Sequence, residues 1–254
     1  MDVVLWPFRA LWKIYFFIVF ISTLLLLFPF FFITLSKEKW FKYAFLLFRF
    51  WSLILQVFAG VILIIKKEEP LPKGTPFIIC PNHSSYLDII LMYRVFPEYF
   101  VFMGKQEITN WPLFNIFFTK GMNILVDRSS MSGARNAILN ASEDIAKGHS
   151  IVIFPEATIP HSAPKLNRFK NGAFKLAIAK QIPIVPVTFT TNWKLLQGTV
   201  FLKGRAGPGI SKCIIHKPIE CKGLNEDDMA ALSEKVHDII EKPLIDKYGD
   251  SVTN

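Results

Sequence analysis

The 254-residue chain is predicted to fold as an α/β sandwich around a roughly seven-stranded sheet, mostly parallel with mixed pairing, behind an N-terminal two-helix membrane-anchoring motif. Three observations carry this. Two long apolar runs fill the first 67 residues. A charged, Pro/Gly-punctuated stretch, KKEEPLPKGT, follows at 66–75, and beyond it short apolar runs alternate with helical patterns. Hydrophobic residues make up 52% and charged residues 19%, with 25 Phe and a mean hydropathy of +0.35. Such a chain is too apolar for disorder and more apolar than an ordinary soluble domain.

The first run, residues 14–35, carries no charge and would make a helix of about 33 Å, one hydrocarbon thickness. It has no small-residue cleavage site, so it is expected to be retained. Pro29 should kink it. The second run, 43–65, holds Arg49 and Gln56 near one helix face. A charge in mid-segment argues against lipid on every side. Three arrangements stay open: a spanning hairpin, a pair that enters one leaflet and returns, or two buried core helices. Basic residues mark both ends and the joint, so the positive-inside rule does not choose. Trp6, Trp12, Trp40 and Trp51 lie near run ends, as interfacial aromatics do, and favour the membrane. Residues 1–67 are therefore assigned to the anchor and 76–254 to the globular domain.

In the globular part, 76–80, 98–103, 123–127, 150–154 and 183–190 read as strands. Their near-continuous apolar character suits a sheet covered on both faces. Residues 85–96, 112–118, 130–147 and 171–181 read as helices between them. Strands near 199–203 and 212–216 are expected to pair as a hairpin across GRAGPG, and 225–248 is an amphipathic closing helix. Ligands of such sheets gather where strands run into loops.

Net charge is +9, which in another distribution would suggest nucleic acid. Residues 1–67 hold eight basic side chains against two acidic, whereas the remaining 187 residues hold 21 against 18. The excess flanks the greasy runs, where anionic lipid headgroups are the natural counter-ion, and no nucleic-acid partner is expected. Cys80, Cys213 and Cys221 are too widely spaced for a disulfide framework or a zinc site.

Four segments bear chemistry. In CPNHSSYLD, His83 stands at a strand exit and Asp88 in the first turn of the next helix. A strand-to-helix turn can let Asp88 hold one imidazole nitrogen while the other acts as a base. Equally, Ser85 and Asp88 fit a capping box, with His83 merely a polar loop residue. In FPEAT, Glu156 and Thr158 can orient a polyol, although Glu156 taken alone reads better as a turn cap. In GMNILVDR, Arg128 offers a planar fork suited to phosphate. IPIVPV, with Pro183 and Pro186, reads by itself as an edge or bulged strand.

Their order is more specific than any one of them. NH-x4-D, G-x6-R, FPE-x-T and a Pro-containing V-P-V strand, between about Phe77 and Val187, resemble the lysophosphatidic acid acyltransferase family. NHSSYLD matches every fixed position of that family's NH-x-S-x-x-D. The resemblance implies that His83 is general base for a glycerol hydroxyl attacking an acyl thioester, and that Asp88 orients it. It also implies that Lys105, Arg128, Glu156 and Thr158 meet the acceptor. A backbone amide or the helix N-terminus after Ser85 would stabilise the oxyanion. An acyl-serine route through Ser84 or Ser85 is a weaker alternative. No metal or prosthetic group is required; acyl-CoA or acyl carrier protein would be the co-substrate, and a lysophospholipid the acceptor. A cell inner membrane location follows, with the globular domain on the cytoplasmic side.

The third motif departs from the family's FPEGTR. Ala157 stands for the Gly and Ile159 for the Arg expected to hold the acceptor phosphate; Lys165, Arg168 and Lys170 are candidate substitutes. The departure opens two other readings, a phosphate-free lyso-aminolipid acceptor or a non-catalytic lipid-binding scaffold.

Overall fold

The computed structural model describes residues 2–127, 130–198, 204–249 and 252. Arg128 and the strand expected near 199–203 lie outside them. Seven strands form one sheet: β1 (Val61–Lys67), β2 (Ile78–Pro81), β3 (Phe100–Lys105), β4 (Ile124–Val126), β5 (Ser150–Val152), β6 (Ile184–Phe189) and β7 (Gly209–Ile215). Their spatial order is β1-β7-β6-β2-β5-β3-β4. All neighbours are parallel except β6 and β7.

Eight α-helices are described: α1 (Asp2–Thr34), α2 (Phe41–Phe58), α3 (Tyr86–Val95), α4 (Ile116–Thr119), α5 (Met131–Ala146), α6 (Gly172–Lys180), α7 (Asn192–Leu195) and α8 (Met229–Tyr248). Adjacent strand residues point to opposite faces, so Ile79 and Val185 join a core with α1, α2 and α3. Their neighbours Ile78 and Ile184 join a second core with α5, α6 and α8. This two-sided burial is why the central strands read as unbroken apolar runs.

Three expectations are corrected. The second apolar run is not one helix to residue 65: α2 ends at Phe58 and Val61–Lys67 is the edge strand β1. The last seven residues of the 1–67 segment thus lie in the sheet. Gly60 makes the break, with φ +62 and its Cα so close to Pro208 that a Cβ would sit 2.9 Å from that ring. β7 is also not half of a hairpin; it lies between β1 and β6. Finally, β6 is central rather than an edge, despite Pro186. Its carbonyl accepts from His216 N–H at 3.0 Å, a bond that needs nothing from the missing proline N–H.

Helix α1 continues through Pro7 and Pro29. It buries a stripe at Lys13, Phe16, Leu24, Leu27 and Phe31, the spacing of one helical face. Its other side exposes large apolar groups, Phe8 at 69% and Leu26 at 73% among them. Residues Leu5–Thr34 and Glu38–Phe58 are, among those described, the two helical spans long and apolar enough to cross a membrane. They are the candidate anchors. α2 is nonetheless docked on the globular layer. Arg49 Nη1 donates to the α3 carbonyl of Tyr93 at 2.9 Å and to that of Phe96 at 2.7 Å, and Ser52 Oγ to Ile90 O at 2.6 Å. Trp51, expected at an interface, is buried and donates from Nε1 to Thr23 Oγ1 at 2.9 Å.

Candidate active site

β2, β5 and β6 are adjacent and parallel, so their C-terminal ends open on one edge of the sheet. There the chain leaves β2 at Asn82. The Asn82 side chain acts as one more peptide group of the strand: Phe189 N–H donates to its Oδ1 at 2.7 Å, and its Nδ2 donates to Phe189 O at 3.1 Å. With the ladder closed in this way, His83 turns out of the sheet.

Ser85 then caps α3, its Oγ accepting from Leu87 N–H at 3.1 Å. Asp88 Oδ2 accepts from Ser85 N–H at 2.8 Å, from Ser84 N–H at 2.5 Å, and lies 3.3 Å from His83 Nδ1. The two readings of this motif therefore both hold on one oxygen: Asp88 completes the capping box and also holds the imidazole. The His83 ring lies on Phe154 with centroids 4.2 Å apart, which fixes its plane. Nδ1 is engaged, and Nε2 makes no hydrogen bond to the described residues.

The same geometry narrows the oxyanion expectation and removes the acyl-serine one. The Ser84 and Ser85 amides are taken by Asp88 and the Leu87 amide by Ser85 Oγ, so they are not free to hold an oxyanion. Neither serine hydroxyl is paired with His83 either. Ser84 Oγ is buried without a partner, and Ser85 Oγ donates to Leu196 O at 2.6 Å. The nucleophile–base contact that an acyl-serine route needs is missing.

Glu156 comes from the adjoining strand end. It is 2% exposed, does not line the cavity, and uses both oxygens on backbone: His83 N–H at 2.7 Å and Asn167 N–H at 2.8 Å. The expected polyol contact gives way to a clamp beneath His83, the turn-cap reading. Burial pushes its carboxyl up to about 8, with the Asp88 charge adding to the push and the two amide donors opposing it.

His83 lines a cavity of about 1910 Å³ between the helical pair, α3 and the strand ends, larger than the ~300–1,000 Å³ usual for small ligands. Phe16, Phe20, Trp51 and Phe114 give it an aromatic wall, and Lys105, Thr158 and Lys170 are at its surface. Arg168 is exposed and does not line it. Two cations that the sequence did not single out, Arg135 on α5 and Lys175 on α6, do. Ile159 also lines the cavity, beside Gly198, where an added Cβ would lie 3.0 Å from Ile159 Cδ1 and 3.1 Å from Tyr86 Cε2. Asn192 and Ser211 were likewise missed. Asn192 Nδ2 donates to Asp88 Oδ1 at 2.8 Å, and Ser211 Oγ donates to Asn192 Oδ1 at 2.6 Å.

Comparison with known proteins bears on the family and the fold. A family model described as Acyltransferase matches residues 63–190. The 1-acyl-sn-glycerol-3-phosphate acyltransferase of Borreliella burgdorferi is 30% identical over 188 residues, 73% of this chain and 73% of that one. The protein of the same name from Saccharomyces cerevisiae is 29% identical over 187 residues, and this chain spans only 60% of its length. In fold, the crystal structure of the 1-acyl-sn-glycerophosphate (LPA) acyltransferase PlsC from Thermotoga maritima superposes with a TM-score of 0.76 at 20% identity, over 98% of both chains. With half its length matched by the family model and its NH-x4-D turn at the strand ends, the chain belongs to the acyltransferase family.

Proposed function

We propose that the protein moves a fatty acyl chain from acyl-CoA or acyl carrier protein to the free hydroxyl of 1-acyl-glycerol-3-phosphate, giving phosphatidic acid. The observation that carries this reading is the His83–Asp88 pair at the wall of a large aromatic cavity, in a chain of this family. His83 Nε2 takes the hydroxyl proton as that oxygen attacks the thioester carbonyl. The tetrahedral adduct collapses with C–S cleavage, and the departing sulfur leaves as a thiolate or receives the proton from the imidazolium. A thiol with a pKa near 8.5 is a good leaving group, so the proton taken from the alcohol is the demanding one, and imidazole is the side chain most often used for that transfer. No step calls for a metal or prosthetic group.

Lys105, Arg135, Lys170 and Lys175 at the cavity surface support a phosphate-bearing acceptor. Ile159 at the cavity surface supports the second reading, a lyso-aminolipid without phosphate. Soluble thioester donors place the globular layer on the cytoplasmic side of an inner membrane, with the exposed apolar side of α1 in lipid. The test is acyl transfer by purified protein in detergent, with either thioester donor and three acceptors: lysophosphatidic acid, glycerol 3-phosphate and a phosphate-free lyso-aminolipid. Lysophosphatidic acid should be preferred by at least about 1.4 kcal/mol in kcat/KM, roughly tenfold. Preference for the aminolipid overturns the phosphate half of the assignment.

A further inference from the structure

We propose that Asn192, held by Ser211, is a positioning residue that sets the plane of the Asp88 carboxylate and through it the orientation of His83. The proposal rests on the reading of His83 as the base. Asp88 is fully buried and receives four donors. Three of them, from His83, Ser84 and Ser85, converge on Oδ2 and come from within five residues of Asp88. They fix where that oxygen is, but not how the carboxylate is turned about it. The described hydrogen bond to Oδ1 is Asn192 Nδ2, 104 residues away in sequence. Of the four contacts, the one to His83 Nδ1 is the longest at 3.3 Å. It is the first to be lost if the carboxylate swings.

An amide can present either its oxygen or its nitrogen, and a carboxylate needs the nitrogen. The Ser211 hydroxyl settles this by donating to Asn192 Oδ1 at 2.6 Å. Both residues are fully buried, so no water competes for these groups. The backbone gives the amide a firm mount. Asn192 opens α7, and the carbonyl of Leu196 just past that helix accepts from Ser85 Oγ at 2.6 Å. α7 therefore grips the N-terminus of α3 twice, once through Asp88 and once through its cap residue. Isolated from these partners, Asn192 and Ser211 are ordinary polar residues of a short helix and a strand, which is why local pattern does not single them out.

The experiment measures kcat and KM for donor and acceptor in Asn192→Leu, Ser211→Ala and Ser211→Thr, with thermal unfolding of each alongside. A misplaced reacting group can lower the rate by about 10²-fold. Asn192→Leu should lose about that much in kcat, with both KM values within about twofold of the parent at a temperature where it is folded. Ser211→Ala should lose kcat in the same sense by about tenfold, and Ser211→Thr, which keeps the hydroxyl, should stay near the parent. His83→Ala in the same assay separates the two levels. If it keeps full activity, the base assignment falls and this proposal with it. If it is inactive while Asn192→Leu keeps kcat within about threefold, Asn192 merely packs and this proposal alone is overturned. Should Asn192→Leu not fold, the Ser211 pair decides: equal kcat in the Ala and Thr variants refutes the role.

Discussion

Glu156 and its neighbour Ala157 show how one corner is built by opposing demands. The turn Phe154–Ala157 closes with Ala157 N–H on Phe154 O at 3.0 Å, and Pro155 sits at the position where a turn favours proline. This geometry aims the Glu156 carboxyl at the His83 amide and leaves Ala157 with φ +65. A side chain in that left-handed region costs about 1–2 kcal/mol, whereas a glycine there would cost about 0.4–1 kcal/mol of added freedom in the unfolded chain. Ala157→Gly should therefore stabilise the protein, by up to about 1.6 kcal/mol net, read as a raised unfolding midpoint in detergent. A clear loss of stability would show that the alanine methyl makes contacts worth more than the strain.

The histidine motif was legible because all its members lie within seven residues. Its two roles for Asp88 were visible as rivals, and only coordinates show that one carboxylate oxygen serves both. Arg135 and Lys175 were not legible, since one sequence cannot tell a helical cation at a cavity wall from one in water. Ile159 was legible as a departure, but its place beside Tyr86 and Gly198 was not.

At the scale of elements, α2 decides what the N-terminal pair is. Arg49 looked anomalous in an apolar run, and the structure gives it work: it satisfies two carbonyls at the C-terminal end of α3, where helices leave such groups orphaned and favour a cation. Arg49→Leu should destabilise the protein by about 1–3 kcal/mol, measured by denaturation in detergent. If α2 instead left the globular layer for lipid, the same change would be neutral or stabilising.

The central strands, α3, α5, α6 and α8 were readable because two-faced burial and helical spacing leave distinct traces. β1 was hidden because its apolar residues follow α2 with no proline or charge between. The Ala59–Gly60 pair was the available signal, and Gly60 does take a positive φ. Pro186 misled in the other direction, since a missing N–H excludes a residue from a central strand only where the neighbour needs it.

Across the whole molecule, the proposed catalytic geometry and the exposed apolar surface share one layer. α1 and α2 form part of the cavity wall through Phe16, Phe20 and Trp51, while the far side of α1 is exposed and apolar. Lys13 ties α1 to the loop after α7, its Nζ donating to Gln197 O at 3.2 Å. That loop also carries Gly198 at the cavity and Leu196 on the Ser85 cap. The cavity that His83 lines is thus walled by apolar groups of the N-terminal helices. The central claim is that the imidazole at that wall takes the acceptor's proton. The most direct measurement is steady-state acyl transfer by His83→Ala beside the parent, with membrane attachment and unfolding midpoint recorded for both. The account predicts unchanged attachment and folding with turnover lower by about 100-fold or more. Turnover within tenfold of the parent would contradict it.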